Sequence, residues 1–332
     1  MSVNRHVGID LLRIIAALGV VFVHVSSPFV IKNMKQVNDL FWAGNLFDSI
    51  GRLSVPIFVV ISGYFILKPI DDLRGFYSKR FTRILYPFFM WSVIYLLWAW
   101  LFDGTRTSKI WEGILWGKPY FHLWFLGMLM GLYAVAPLIA DLRRRISSRS
   151  FLMVGLGALL FGMAIESWNG YAGARTWVGT WWLSYVGYFM VGASLPDLRA
   201  LGNRRFALLC TVAVSVLSIF ILTGWLFAQK EYCWYFYSYL GLPVIVGSVS
   251  SVLLFVNLEI RGYAFISTVS ELSFGIYLFH MIPLNVIKKY WNGMLVENPY
   301  WNILLVSLVV FTISAIAMWG VSRIKSVARL VM

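Results

Sequence analysis

Apolar residues fill long stretches of the chain, and polar residues gather in short intervals between them. The apolar runs are about 20 residues long, the length an α-helix needs to cross a hydrocarbon core of about 30 Å. Hydropathy places ten such spans, at 8–30, 46–67, 82–102, 120–140, 150–166, 177–195, 206–228, 236–257, 264–287 and 301–323. The intervals between them are too short to bury a core of their own, and the chain shows no low-complexity tract or obvious internal repeat. The pattern predicts an all-α integral membrane protein, a bundle of about ten transmembrane helices in a single membrane-embedded domain over 1–332.

Composition agrees: 60% of residues are hydrophobic and 13% charged, against about half and a quarter in soluble domains. The net charge of +14 does not point to nucleic acid, because the cations lie in short loops, where Lys and Arg set topology. They concentrate at the N-terminus, in the even-numbered loops and at the C-terminus. Examples are Lys68, Arg74, Lys79, Arg80 and Arg83, then Arg143, Arg144, Arg145 and Arg149, then Arg199, Arg204 and Arg205. That asymmetry predicts both termini in the cytoplasm of a multi-pass membrane protein, with membrane lipid as its surroundings. The basic start and first apolar run lack a small-residue cleavage site and are interrupted by Asp10 and Arg13, as expected of a retained first span. Cys210 and Cys233 have neither metal nor redox spacing and read as free thiols.

Tryptophan adds a second asymmetry. On this topology most of the 16 Trp fall in outer loops or the outer parts of spans, among them Trp98, Trp100, Trp111, Trp116, Trp168, Trp181, Trp182 and Trp234. An interfacial aromatic belt accounts for this, and so does an outward surface on which sugar rings stack.

Ionisable residues inside spans are costly and mark function by default. His24 and His280 each lie 16 residues from the inner start of their spans, roughly 24 Å up a core of about 30 Å. His122 opens the fourth span from the outer side. These three histidines share one predicted layer, whereas His6 sits in the N-terminal tail. Separate structural roles, with each ring capping a helix end or bonding a carbonyl, are the alternative. A metal is not expected, since no two of these histidines have local ligand spacing.

The inner layer is cationic. Asp10 and Arg13 are three apart and share a helix face, as do Arg80 and Arg83. The stretch ISGYF (61–65) precedes Lys68, Arg74 and Lys79. Snorkelling anchors explain these cations. A phosphate site does too, with a Ser-Gly turn allowing close approach and paired guanidiniums gripping oxyanions. The two layers are roughly 15–20 Å apart by helix rise, a gap that a phosphorylated donor with a long arm would bridge.

Four stretches then carry a likeness: IDLLRIIAALGVVFVH (9–24), RLSVPIFVVISGYFI (52–66) with KRFTRILYP (79–87), FHLWFLGMLMGLYAVAPLI (121–139) and ELSFGIYLFH (271–280). In these motifs, and in their order, the chain resembles the acyltransferase-3 family of integral membrane acyltransferases. In length and motif wording it is most similar to bacterial O-acetyltransferases that decorate surface polysaccharide. The resemblance implies acyl-CoA, here acetyl-CoA, as donor substrate. It implies a hydroxyl on a glycan or lipid-linked sugar as acceptor. It makes His24 catalytic and associates Arg80, Arg83, Ser62, Gly63 and Tyr64 with coenzyme A, with Arg13 also functional and Asp10 beside it. Motif position and depth add His122, Trp124, His280 and Glu271 as candidate catalytic residues.

In the expected reaction, neutral His24 takes the proton of the acceptor hydroxyl, which attacks the thioester. His122, His280 or the Trp124 indole donates to the oxyanion. An acyl-His24 intermediate is the alternative course. A carboxylate to orient His24 is missing from this picture. Asp10 is 14 residues away on the same helix, roughly 21 Å, and Glu166 and Glu231 are unranked outer candidates. A transporter or flippase for a lipid-linked glycan, with the histidines as a proton relay, is the rival class. Neither an inverted repeat nor paired broken helices support it.

Overall fold

The computed structural model of the chain describes residues 6–102, 107–116, 119–173, 177–198, 201, 204–231, 233–258, 264–291 and 294–332. Arg199, counted above among the inner cations, lies outside them. The described residues form helices and turns with no strand among them. Eight helices are long and apolar enough to cross a membrane, and a bent pair makes a ninth. The segment read as the span 177–195 instead contains a 3-10 turn and a helix of 13 residues, Trp182–Ser194. Such a helix is about 20 Å long, short of the hydrocarbon thickness.

The chain divides into two compact units. The first comprises Met1–Ile61 and Leu195–Gly320, the second Ser62–Ser194 and Val321–Met332.

The first unit is built on α1 (Val7–Asn33), which packs against α2 (Asp39–Gly51). The short turn between them ends at Asn38, whose side chain accepts the Phe41 N–H at 3.1 Å and caps α2. In a bilayer, apolar burial does not drive helices together, so close contact between small residues matters more. Gly51 permits it here: a Cβ there would sit 2.5 Å from the Gly19 carbonyl oxygen. Helix α3 (Ser54–Ile66) begins in this unit and runs into the second. Helices α9 (Arg205–Ala228), α10 (Leu242–Val256), α11 (Ala264–Phe279), α12 (Met281–Trp291) and most of α13 (Pro299–Ser322) complete the first unit. Helices α10 and α11 pack on α1, and α9 packs on α2 and α10. The opposite surface of α9 exposes Phe206, Leu209, Val214, Leu217, Ile221 and Trp225, as a lipid-facing helix should.

The α11–α12 pair is one apolar stretch bent by 52° at His280. Pro283 supplies the cause. It has no N–H to offer the Phe279 carbonyl four residues back, so the ladder opens there.

The second unit holds α4 (Leu73–Leu101), α5 (Thr107–Leu115), α6 (Trp124–Arg145), α7 (Ser148–Ala172), α8 (Trp182–Ser194) and the C-terminal α14 (Lys325–Val331). Asp72 caps α4 by accepting the Gly75 N–H at 2.9 Å, and Ser147 caps α7 through the Ser150 N–H at 3.1 Å. Helices α7 and α8 approach closely because Gly162 and Gly187 leave no side chain where the Ser184 carbonyl and the Leu159 backbone sit. The Trp91 indole donates to the Val331 carbonyl at 3.0 Å, tying α14 to α4.

Candidate functional site

Two sequence-selected histidines meet in the first unit. The rings of His24 on α1 and His280 at the α11–α12 bend are stacked, with centroids 5.1 Å apart and planes 30° apart. His24 is half-buried and His280 fully buried. His280 Nδ1 lies 2.6 Å from the Tyr277 carbonyl oxygen. A carbonyl only accepts, so Nδ1 carries the proton, and in the neutral ring Nε2 is left as an acceptor. In that tautomer the neutral ring has no proton at Nε2 for an oxyanion, the role expected from sequence, and its face lies against His24.

His24 has a second special feature, in its backbone. Pro28 stands four residues on, where its missing N–H leaves the His24 carbonyl without the usual helical partner. Lys288 of α12 reaches this oxygen, with Nζ at 3.5 Å.

One turn beyond His24, Ser27 donates to Asp48 Oδ2 at 2.9 Å. Asp48 is 1% exposed and pairs with Arg52 Nε at 2.8 Å. The Arg52 guanidinium lies over the rings of Tyr237, 4.6 Å from the centroid, and Tyr239, 5.7 Å away. The Tyr237 hydroxyl donates to Asn45 Oδ1 at 2.5 Å, and Asn45 Nδ2 donates to the Phe220 carbonyl at 2.9 Å. Sequence reasoning passed over this network. Its signal was present: Asn45, Asp48, Ser49 and Arg52 follow the helical i, i+3, i+4, i+7 spacing within an apolar span. Asp48 thereby supplies a carboxylate close to the His24 turn. Glu166, in the second unit, and Glu231, in the first, are both exposed.

At the other end of α1, Asp10 is 4% exposed, accepts from Ser270 Oγ at 2.8 Å and pairs with Arg13 at 3.6 Å. Glu271 follows Ser270 and is exposed. It lies nine residues before His280 on the same helix, about 14 Å of rise away. It therefore belongs with Asp10 and Arg13 rather than with the histidine pair.

The remaining candidates lie in the second unit. His122, 1% exposed, sits in a 3-10 turn before α6. Its ring meets Tyr95 edge-on at 4.8 Å and Tyr120 at 5.6 Å, and those two tyrosines stack at 4.5 Å. Trp124 packs edge-on to Trp181 at 5.0 Å, with Tyr185 at 5.8 Å. Trp100, Trp111 and Trp168 are each more than half exposed, as a belt would leave them. Gly63 lies within helix α3 rather than in a turn, and the Phe189 carbonyl fills the place of its side chain. The close approach this glycine allows is to protein backbone. Ser62 beside it is half-buried and Tyr64 buried.

The cations of this unit divide into two sets. Arg143 donates to the Leu67 carbonyl at 3.1 Å. Arg144 pairs with Asp71 and Asp141, and Arg145 with Asp141. Arg80 is half-buried with Phe76 at 6.0 Å, Arg83 is exposed, and among the described residues no carboxylate pairs with either. Both guanidiniums are available to an anionic ligand.

The sequence profile of an acyltransferase-domain family, acyltransferase-3, matches residues 6–320. The chain belongs to this acyltransferase family. No curated protein and no solved structure matches it. The acyltransferase is thus a multi-pass membrane protein in which His24 and His280 pair inside one unit and Arg80 and Arg83 lie in the other. The described residues contain no group of three His, Cys, Asp or Glu arranged to hold a metal ion. In this acyltransferase Cys210 and Cys233 are free and exposed.

Proposed function

We propose that the acyltransferase moves an acetyl group from cytoplasmic acetyl-CoA to a hydroxyl of a cell-surface or lipid-linked glycan, with His24 as general base. The observation that carries this reading is the His24–His280 pair, a half-buried imidazole held against a buried one in a member of an acyltransferase family. Arg80 and Arg83 hold the phosphates of coenzyme A, with Ser62, Gly63 and Tyr64 in the adjoining motif. In length and motif wording the chain resembles O-acetyltransferases of bacterial surface polysaccharide, such as those acting on enterobacterial common antigen. Both termini are in the cytoplasm, and the membrane is the bacterial inner membrane.

The chemistry follows from neutral imidazole. His24 accepts the proton of the sugar hydroxyl, the oxygen attacks the thioester carbonyl carbon, and a tetrahedral oxyanion forms. An N–H donor at that oxygen would stabilise the charge as it develops. Collapse breaks the carbon–sulfur bond, and the imidazolium returns its proton to the coenzyme A thiolate. Ser27, one turn beyond His24, is fixed by its hydrogen bond to Asp48, which anchors this turn of the helix.

Purified full-length protein, labelled acetyl-CoA and a panel of glycans test the reading. Label should appear on a glycan, and His24→Ala should abolish it while coenzyme A still binds. Full turnover by that variant, or glycan counterflow without acylation, would overturn the proposal.

A further inference from the structure

We propose that Lys288 and Lys32 form an anion site beside His24 that takes an oxyanion group carried by the acceptor. The candidate groups are the diphosphate of a lipid carrier and the carboxylate of an acidic sugar. The inference rests on the reading of His24 as the residue that meets the acceptor.

The site follows from Pro28. A lysine in an apolar stretch is expensive, and the freed His24 carbonyl gives Lys288 one reason to be there. That oxygen uses one of three ammonium protons and leaves the charge uncompensated. The nearest charged group makes matters worse. Lys32, in the last turn of α1 and two turns beyond His24, interacts with Lys288 as a like charge. Among the described residues no carboxylate reaches Lys288. Asp48 is committed to Arg52 and Ser27, and the exposed Asp39 and Glu297 make no ion pair with Lys288.

A half-buried lysine on the His24 carbonyl, a like-charged lysine acting on it and no carboxylate paired with it among the described residues make an arrangement that an anion completes. It sits at the opposite end of α1 from Asp10 and Arg13, with Lys288 on the His24 carbonyl and Lys32 two turns further along the helix. An acceptor held there by its oxyanion would present a neighbouring hydroxyl to the imidazole. Lys32 is exposed and Lys288 half-buried, so the site opens outward from the unit while its inner edge touches the catalytic turn.

The test reads binding without turnover, so it stands whatever the acyl-transfer assay gives. Purified full-length protein without acyl-CoA is titrated with farnesyl diphosphate against farnesol and with glucuronate against glucose. At least one anion should bind roughly 10-fold or more tightly than its neutral counterpart, and added salt should weaken it. Preference for the diphosphate assigns the lipid carrier, and preference for glucuronate assigns an acidic sugar. Lys288→Gln should erase the preference and Lys288→Arg should keep it. Lys32→Gln, at an exposed position with little folding risk, should reduce it by roughly 2- to 5-fold. Equal binding of anionic and neutral probes, or a preference that survives Lys288→Gln, would overturn the proposal. So would a loss of free coenzyme A affinity in Lys288→Gln with diphosphate and glucuronate binding unchanged, because the lysine would then serve the donor.

Discussion

His280 shows how one hydrogen bond constrains a role. Its Nδ1 proton is committed to the Tyr277 carbonyl, and its ring lies against His24. A residue so placed positions the base. Replacing it by phenylalanine keeps an aromatic face but removes the Nε2 acceptor. For His280→Phe, kcat should fall roughly 100-fold, within the range that acid–base arrangements contribute, while KM for acetyl-CoA stays unchanged. His280→Gln, which puts an amide near the Nε2 position, should recover part of the loss. Steady-state kinetics with both variants checks this, and undiminished turnover in His280→Phe would remove the residue from the reaction. The histidines themselves were legible because charge-capable side chains stand out in apolar runs. The tautomer was not, since it depends on the Tyr277 carbonyl lying within hydrogen-bond reach of the ring.

Helix α2 carries the next lesson. Hydropathy averages over a window, and the apolar residues between Asn45 and Arg52 hide a polar stripe of helical period. In the structure that stripe is turned inward, where Asp48 and Arg52 pair away from solvent. Such a pair is costly to halve. Asp48→Asn or Arg52→Met should each cost about 3–5 kcal/mol by leaving a buried charge alone. The double variant Asp48→Asn/Arg52→Met should be less damaged than the sum, because neither charge remains. Unfolding of purified protein in mixed micelles measures all three. Additive losses would show that the two residues do not act as a pair. The same averaging explains the segment at 177–195. Its composition is apolar enough for a span, but hydropathy does not register that the helix starts only at Trp182, after a 3-10 turn.

Across the whole chain, the motifs that looked like one continuous signature are divided between two units. His24, Asp10, Arg13, Glu271 and His280 belong to the first. Arg80, Arg83, His122, Trp124 and the Ser62–Tyr64 segment belong to the second. Linear order conceals this, because the first unit closes only when the chain returns to it at Leu195. The division predicts separable functions. Arg80 and Arg83 have no acidic partner among the described residues, whereas Arg144 and Arg145 are held by aspartates. Arg80→Ala/Arg83→Ala should therefore weaken coenzyme A binding by roughly 10- to 100-fold, the worth of one to two charge-assisted hydrogen bonds. Arg144→Ala/Arg145→Ala, which removes the same charge, should change it little. His24→Ala should leave that affinity intact while losing transfer, since the imidazole acts on the hydroxyl. Calorimetric titration of coenzyme A into the three purified variants decides the matter. Equal affinity in the Arg80/Arg83 and Arg144/Arg145 variants would reduce all four arginines to topological anchors, and the donor would need another site.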